Sequence, residues 1–309
     1  MKISVIIPVY NGEYYITRCL LSLQKQNYID WEAIFVNDGS IDSTEEILLV
    51  LSEQESRVKV ISQPNRGVVK ARDAGVACAT GDYILFLDVD DTLEPHALEV
   101  VCDCFEKNPD ADIVVTGFNI VSNGQCVSRK RSNIGRIMAC EYLKRVLTGK
   151  NGWELCAKAY RKSLFTDLLE LPKGIRVGED AAVFVQLVTR ARVVVGSESS
   201  IYNYIQNESS VSHQKSVILT EETLKAAFFI EDYLKRIEWA ELLKREIDAM
   251  FLLFYSNSTR RGYLGRKHLL VKRIRKEHVS WNSLILLPWY RVVYVFLYYY
   301  FGQYISKII

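Results

Sequence analysis

The chain runs Tyr83-Ile84-Leu85-Phe86-Leu87 without a charged residue, then places Asp88, Asp90 and Asp91 within four positions, ahead of Thr92. A strand without polar alternation has no face to give to water. It must be covered on both sides, as in a parallel sheet between two helical layers. Carboxylates crowded at its end repel one another unless a positive charge lies between them. A hard divalent cation meets that need, and Mg²⁺ in particular takes one or two carboxylates together with phosphate oxygens of a substrate. A solvated acidic turn is the competing reading, because Asp and Thr are ordinary turn and capping residues.

The residues upstream set the kind of sheet. Ile3–Val9 is an apolar run interrupted by Pro8 and turned at Asn11-Gly12, and Ile16, Cys19, Leu20 and Leu23 follow at helical spacing. Trp31–Val36 stops at Asn37-Asp38-Gly39-Ser40, and Ser43-Thr44-Glu45-Glu46 has the spacing of a capping box. Arg57–Ile61 is a third strand, and a small-residue helix through Lys70, Arg72 and Ala77 leads to Tyr83. Strands alternating with helices predict a mainly parallel α/β sheet, whose ligands bind beyond the carboxyl ends of the strands. Pro8–Asn11, Asn37–Ser40 and Asp88–Asp91 are such ends and are predicted to converge. No Gly-x-Gly-x-x-Gly follows a strand and no Gly-x-x-x-x-Gly-Lys-Ser/Thr loop is present. That disfavours a dinucleotide oxidoreductase and a P-loop NTPase.

Val5–Asn11, Val36–Asp42, Asn65-Arg66-Gly67 with Ala71-Arg72-Asp73, and Leu87–Asp91, taken in this order, resemble the family 2 glycosyltransferases. The likeness is dense over residues 1–125 and thins toward 213. It implies a GT-A fold over 1–215, a Rossmann-like sheet flanked by helices, with nucleotide-sugar binding in 1–125 and the acceptor side in 126–215. It also implies inversion at the anomeric carbon, a nucleotide-sugar donor (in this family usually a UDP-sugar), and Mn²⁺ or Mg²⁺. Carried over, the resemblance puts Pro8 and Tyr10 at the nucleobase and makes Asp38 a hydrogen-bond acceptor for the base. It sets Arg72 and Lys70 toward the diphosphate, Asp88 at the ribose or sugar, and Asp90 on the metal. Asp42 and Asp91 are expected as braces, Asp91 on the helix side. Asp73 stands where the family most often has Asn, a charge the resemblance leaves unaccounted for.

Farther on, Glu179-Asp180 opens an apolar-periodic helix. The resemblance implies Asp180 as the catalytic base, with Glu179 the second choice; plain complementation of the helix dipole is the alternative. His213 is implied as a metal or diphosphate contact, and Trp153 is either a sugar platform or a packing residue. The implied activity is transfer of a sugar to a hydroxyl of a glycan or lipid-linked acceptor, in cell-surface polysaccharide synthesis. A non-catalytic nucleotide-sugar-binding assembly subunit is the alternative, against which Asp88, Asp90 and Asp180 count. A sugar-nucleotide nucleotidyltransferase would want a glycine-rich, Arg/Lys-containing loop after the first strand, which is absent.

Ser122-Asn123-Gly124 opens a polar run to Gly135 and is expected as an exposed loop, whose basic triplet Arg129, Lys130 and Arg131 is either a solvated turn or a contact for an acidic acceptor. From about Leu219 the pattern is helical, predicting an α-helical carboxyl-terminal region over 216–309. The net charge of +2 conceals a basic cluster at 260–276, followed by the apolar, aromatic segments 283–290 and 292–300. Pro288 and Arg291 interrupt these, against a spanning helix. Two readings stay open for 260–309: an interfacial helix on an anionic membrane, or packing within the protein, including a homodimer interface. Nucleic acid is not expected as a partner. The seven cysteines are scattered without Cys-x-x-Cys, which predicts free thiols in a reducing compartment. The amino terminus enters a strand directly, so the expected location is cytoplasmic, and on the interfacial reading of 260–309 peripheral on the inner face of the cell membrane.

Overall fold

The apolar runs become the centre of a sheet. In the computed structural model, β1 (Ile3–Val9), β2 (Trp31–Asn37), β3 (Val58–Ser62) and β4 (Tyr83–Phe86) are parallel, in the order β3-β2-β1-β4. The structure describes residues 1–309 apart from 168, 173, 207–215, 262, 263, 265–267 and 294–309, and gives no side chains for 257–261 and 281. All residues of β1, β2 and β4 are buried, and each fully buried Leu, Ile or Phe contributes about 1.5–3 kcal/mol. Helices α1 (Ile16–Gln24), α2 (Thr44–Gln54) and α3 (Val68–Cys78) connect the strands. Gly75 lets α3 lie close on β1, since a Cβ there would sit 2.5 Å from Ile6 Cγ2.

After β4 come β5 (Thr92–Leu93), α4 (Ala97–Lys107), β6 (Ile113–Ser122), β7 (Gln125–Lys130), β8 (Arg136–Met138), α5 (Ala139–Leu147), β9 (Lys158–Arg161), α6 (Glu179–Arg190) and β10 (Val193–Ile205). Strand β9 is antiparallel to both β4 and β6, so β6 and its parallel neighbour β10 run in the direction of β4. The order beyond β4 is β9-β6-β10-β5, with β7 on β6 and β8 on β10. The expected exposed loop after Ser122 is instead a β-hairpin: Asn123 and Gly124 have φ of 50° and 74°, and β7 pairs antiparallel with β6. Every β7 residue is exposed, so the strand lacks the apolar alternation by which strands are read.

The chain forms two compact units that interleave along the sequence. The first comprises Met1–Ala139, Leu155–Leu169 and Arg190–Asn207 and holds the whole sheet. The second comprises Cys140–Glu154, Glu170–Thr189 and the described part of Glu208–Ile309. A boundary at 215/216 follows sequence pattern; by packing, helical segments from the middle of the chain join the carboxyl-terminal ones.

The second unit contains α6 and, in order, α7 (Val217–Arg236), α8 (Lys244–Arg261), α9 (Leu269–Glu277) and α10 (Trp281–Leu284). His278 is fully buried, stacked on Phe251 with ring centroids 3.8 Å apart and bonded through Nδ1 to Asp248 at 2.8 Å. The basic helix α9 buries Val271 and Ile274, and its Arg273 reaches Glu231 and Glu277. Leu287 packs with Ala249, Leu252 and Leu253 of α8, while Ile285, Trp289, Tyr290 and Val293 stay exposed. Among the described residues no helix is long and apolar enough to cross a membrane.

Candidate active site

Three loops at the carboxyl edge of the sheet are laced together by their own polar residues. Pro8 lies beyond the last β1–β4 pair, Ile6↔Phe86, where its missing N–H interrupts no ladder bond. Tyr10 follows at the end of β1, half exposed. Asn11 N–H donates to Ser40 Oγ, and Asn11 Oδ1 accepts from Ile41 N–H, both at 2.9 Å. The expected capping box does not form, for Ser43 makes no side-chain cap bond. Asp42 serves instead, accepting from Thr44 N–H at 3.1 Å and Glu13 N–H at 3.3 Å, the brace role expected of it.

Asp38, buried at the end of β2, accepts from Gln63 Nε2 at 2.7 Å, Arg66 N–H at 2.9 Å and Gly67 N–H at 2.8 Å. It thereby holds the 63–67 loop that leads into α3. A carboxylate has about four acceptor positions, so these bonds leave it capacity for one more donor.

The acidic end of β4 is built around a buried guanidinium. Arg72, only 7% exposed at its side chain, approaches Asp88 Oδ1 at 2.9 Å, while Asp88 is 38% exposed. Tyr202 of β10 accepts from Asp88 N–H at 3.2 Å and donates to Asp91 Oδ2 at 2.6 Å. Asp91 Oδ1 accepts from Ile205 N–H at 2.7 Å. Asp91 is therefore a brace, directed to β10 rather than to the helix side. Burial, and next the charge of Asp88, push its carboxyl up to about 8, against the opposing bonds from Ile205 and Tyr202. Asp90 is half-buried, and its carbonyl accepts from Arg18 at 2.6 Å. Nothing in the local pattern of β10, which also holds Ser197, Glu198, Ser199, Ser200, Asn203 and Tyr204, singles out Tyr202; only its burial marks it, because a buried hydroxyl needs a partner.

Lys70 pairs with Asp73 at 2.8 Å, one turn along α3, which accounts for the charge at 73. Asp73 is half-buried, and burial raises its carboxyl above the usual value despite that pairing. Lys70 thus faces a carboxylate in this structure, and Arg72 alone of the two reaches the acidic end of β4.

In the second unit, Glu179 and Asp180 form the first turn of α6, both half-buried. The loop before them is clamped on α7: Arg176 N–H donates to Glu222 Oε2 at 2.9 Å and its guanidinium reaches Oε1 at 3.0 Å. Trp153 stacks on Phe254 with centroids 4.6 Å apart. His213 lies outside the described residues.

Among the described residues no three His, Cys, Asp or Glu side chains gather as a ready metal cage. Asp88 and Asp90 nevertheless offer hard oxygen donors at a partly exposed strand end. That donor set fits Mg²⁺ or Mn²⁺ whose remaining positions come from phosphate oxygens.

The family model of glycosyl transferase family 2 matches residues 4–168. An uncharacterized glycosyltransferase of Nostoc sp. (strain PCC 7120) is 29% identical over 77% of this chain and 77% of its own length. The uncharacterized glycosyltransferase EpsJ of Bacillus subtilis (strain 168) is 31% identical over 68% of this chain; the match spans 62% of EpsJ. The solved structure of S. aureus TarS residues 1–349 in complex with UDP-GlcNAc covers 98% of this chain and 93% of its own, with a TM-score of 0.65 and 21% identity. A mannosyltransferase from Pyrobaculum calidifontis, solved with GDP-Man and Mn²⁺, covers 97% of this chain with a TM-score of 0.51 and 12% identity.

Proposed function

The chain belongs to glycosyl transferase family 2 and has the GT-A fold, and on that premise we propose that it is an inverting, metal-dependent glycosyltransferase using a UDP-sugar. The observation that carries this reading is the end of β4. There the buried Arg72 guanidinium stands 2.9 Å from a half-exposed Asp88, two residues from Asp90, on a backbone pinned by Tyr202 and Arg18. Such an end offers both a cation for phosphate oxygens and carboxylates for a metal.

In the proposed reaction Tyr10 presents a ring to the nucleobase, beside Pro8, and Asp38 accepts from the base. Arg72, with Lys70 after release from Asp73, faces the diphosphate. Asp88 lies by the ribose or sugar, and Asp90 and His213 ligate the metal. A metal held there would offset the charge gathering on the leaving diphosphate. Asp180 takes the proton of an acceptor hydroxyl as its oxygen forms a bond to the anomeric carbon. The bond to the departing UDP breaks on the opposite face, and UDP keeps the electron pair. Glu179 is the second candidate for the base.

Relatives named for chondroitin and hyaluronan synthesis in Pasteurella multocida are each 38% identical over 131 residues, and the match spans only 14% of either protein. They support a glycan acceptor in surface polysaccharide synthesis. Exposed Ile285, Trp289, Tyr290 and Val293, beside Arg291, suit peripheral attachment to an anionic membrane. Equal recovery of the full chain and a form truncated before Val279 in vesicle flotation would remove that idea.

The test of function is UDP release across a panel of UDP- and GDP-sugars, with Mn²⁺, Mg²⁺ or a chelator. The expected result is turnover of a UDP-sugar that needs metal and is lost in Asp90→Ala. Metal-independent turnover, or full activity in that variant, would overturn the metal assignment.

A further inference from the structure

A second polar cleft, of about 270 Å³, lies within the sheet unit and is unused by the proposed transfer. It forms where β5, the β6–β7 hairpin and the bend of β10 meet, and Arg129, Arg131, Asn119, Glu94, Glu198 and Ser200 line it. Its floor is built. Asn119, 4% exposed, donates to Glu94 Oε1 at 3.1 Å and to Asn203 Oδ1 at 2.8 Å, and its own buried Oδ1 accepts no bond from any described residue.

The two arginines are the unexplained part. Arg129 stands directly across the ladder from Asn119, and Arg131, just past the end of β7, lines the same cleft. Like charges so placed repel, yet neither guanidinium forms an ion pair with any described residue, although both Glu94 and Glu198 line the same cleft. Forked donors without a carboxylate partner are suited to a bidentate anion. A bare anion would meet repulsion from Glu198. A ring bearing hydroxyls as well as an anion satisfies all the groups at once, since hydroxyls donate to carboxylates and accept from amides.

We propose that this cleft is an acceptor subsite holding an anionic sugar unit, bearing a carboxylate or a phosphate, of the glycan being extended. The proposal rests on the transfer reading above. Glu94 follows Asp90 by four residues, which span at most about 14 Å, so a glycan engaged at the end of β4 has the cleft within reach of its next units.

The test uses the full chain and ligand-observed saturation-transfer NMR with glucuronic acid, glucose 6-phosphate and glucose, with inorganic phosphate read through its displacement of glucose 6-phosphate. UDP with Mn²⁺ is titrated in parallel as the reporter of the donor site. Glucuronic acid and glucose 6-phosphate are expected to bind about tenfold or more tightly than glucose, which lacks the charge-assisted hydrogen bond, and than inorganic phosphate, which lacks the hydroxyl contacts. The exposed double substitution Arg129→Ala, Arg131→Ala should remove that preference and leave UDP affinity unchanged. Glucose binding as well as the acids, inorganic phosphate binding as well as glucose 6-phosphate, or an unaffected double variant would each overturn the subsite. UDP binding without anionic-sugar binding would sink the subsite alone, whereas absence of UDP binding would sink the donor reading beneath it.

Discussion

Tyr202→Phe removes one oxygen from the core and tests how the acidic end of β4 is held. The ring is fully buried, and its hydroxyl accepts from Asp88 N–H at 3.2 Å and donates to Asp91 Oδ2 at 2.6 Å. Phenylalanine keeps the packing, so no cavity term enters. The Asp88 amide and the buried Asp91 carboxylate each lose a partner, at about 1–3 kcal/mol each, for a total of roughly 2–6 kcal/mol. At about 2–4 °C per kcal/mol, the midpoint should fall by roughly 4–24 °C. The Asp88 amide also loses its anchor, so affinity for UDP in the presence of Mn²⁺ should fall by about tenfold or more, a change of about 1.4 kcal/mol. Calorimetric unfolding and isothermal titration with UDP and Mn²⁺ read the two effects separately. A midpoint within about 1 °C of wild type, with unchanged affinity, would refute the claim that this hydroxyl fixes the strand end.

Three further outcomes follow from particular contacts. Gly178 has φ of 95°, and a Cβ there would lie 2.7 Å from Ala226 Cβ; Gly178→Ala should lower stability by about 1–3 kcal/mol and depress turnover through Asp180 while UDP affinity holds. Glu32, 2% exposed, receives bonds from Ser4 at 2.6 Å and Lys59 at 2.7 Å. Burial pushes its carboxyl up, but the bonds from Lys59, Ser4 and Thr80 outweigh this and hold it well below the usual carboxylate range. Its stabilisation is therefore present above the unfolded value of about 4.3 and lost as pH falls below it. Glu32→Gln should lower stability by about 3 kcal/mol at pH 7 and flatten the acid limb of a pH–stability profile. Trp153→Ala should lower stability by about 2–3 kcal/mol through its stack on Phe254, whereas a tryptophan serving only as a sugar platform would leave the unfolding midpoint unmoved.

The sheet was legible because Ile3–Val9, Trp31–Val36 and Tyr83–Leu87 are apolar throughout, and few structures other than a doubly covered parallel sheet accommodate such runs. Strand β7 was not, because each of its side chains faces water and the remaining signal was Asn123-Gly124, the hairpin dipeptide. The capping box failed for a local reason: the Ser43 amide that Glu46 would have to reach donates instead to Glu13 Oε2 at 3.0 Å, a partner 30 residues away. In the candidate site, residue types and order pointed to Asp38, Arg72, Asp88 and Asp90. The pairing of Lys70 with Asp73, and of Asp91 with Tyr202 across 111 residues, depends on tertiary placement that spacing does not encode. In the basic stretch at 260–276, α9 buries Val271 and Ile274, and the exposed apolar groups that suit a membrane, Ile285, Trp289, Tyr290 and Val293, lie beyond it.

The most direct test of the proposed mechanism is Asp180→Asn, assayed for UDP release with the best donor and Mn²⁺ and titrated with UDP and Mn²⁺. Removing a general base slows transfer by about 10²–10⁴-fold, while a residue that only complements a helix dipole contributes about 0.3–1 kcal/mol to stability. The account predicts the large fall in kcat with donor affinity unchanged. Turnover within about threefold of wild type, less than 1 kcal/mol, would contradict it and remove Asp180 from the chemistry.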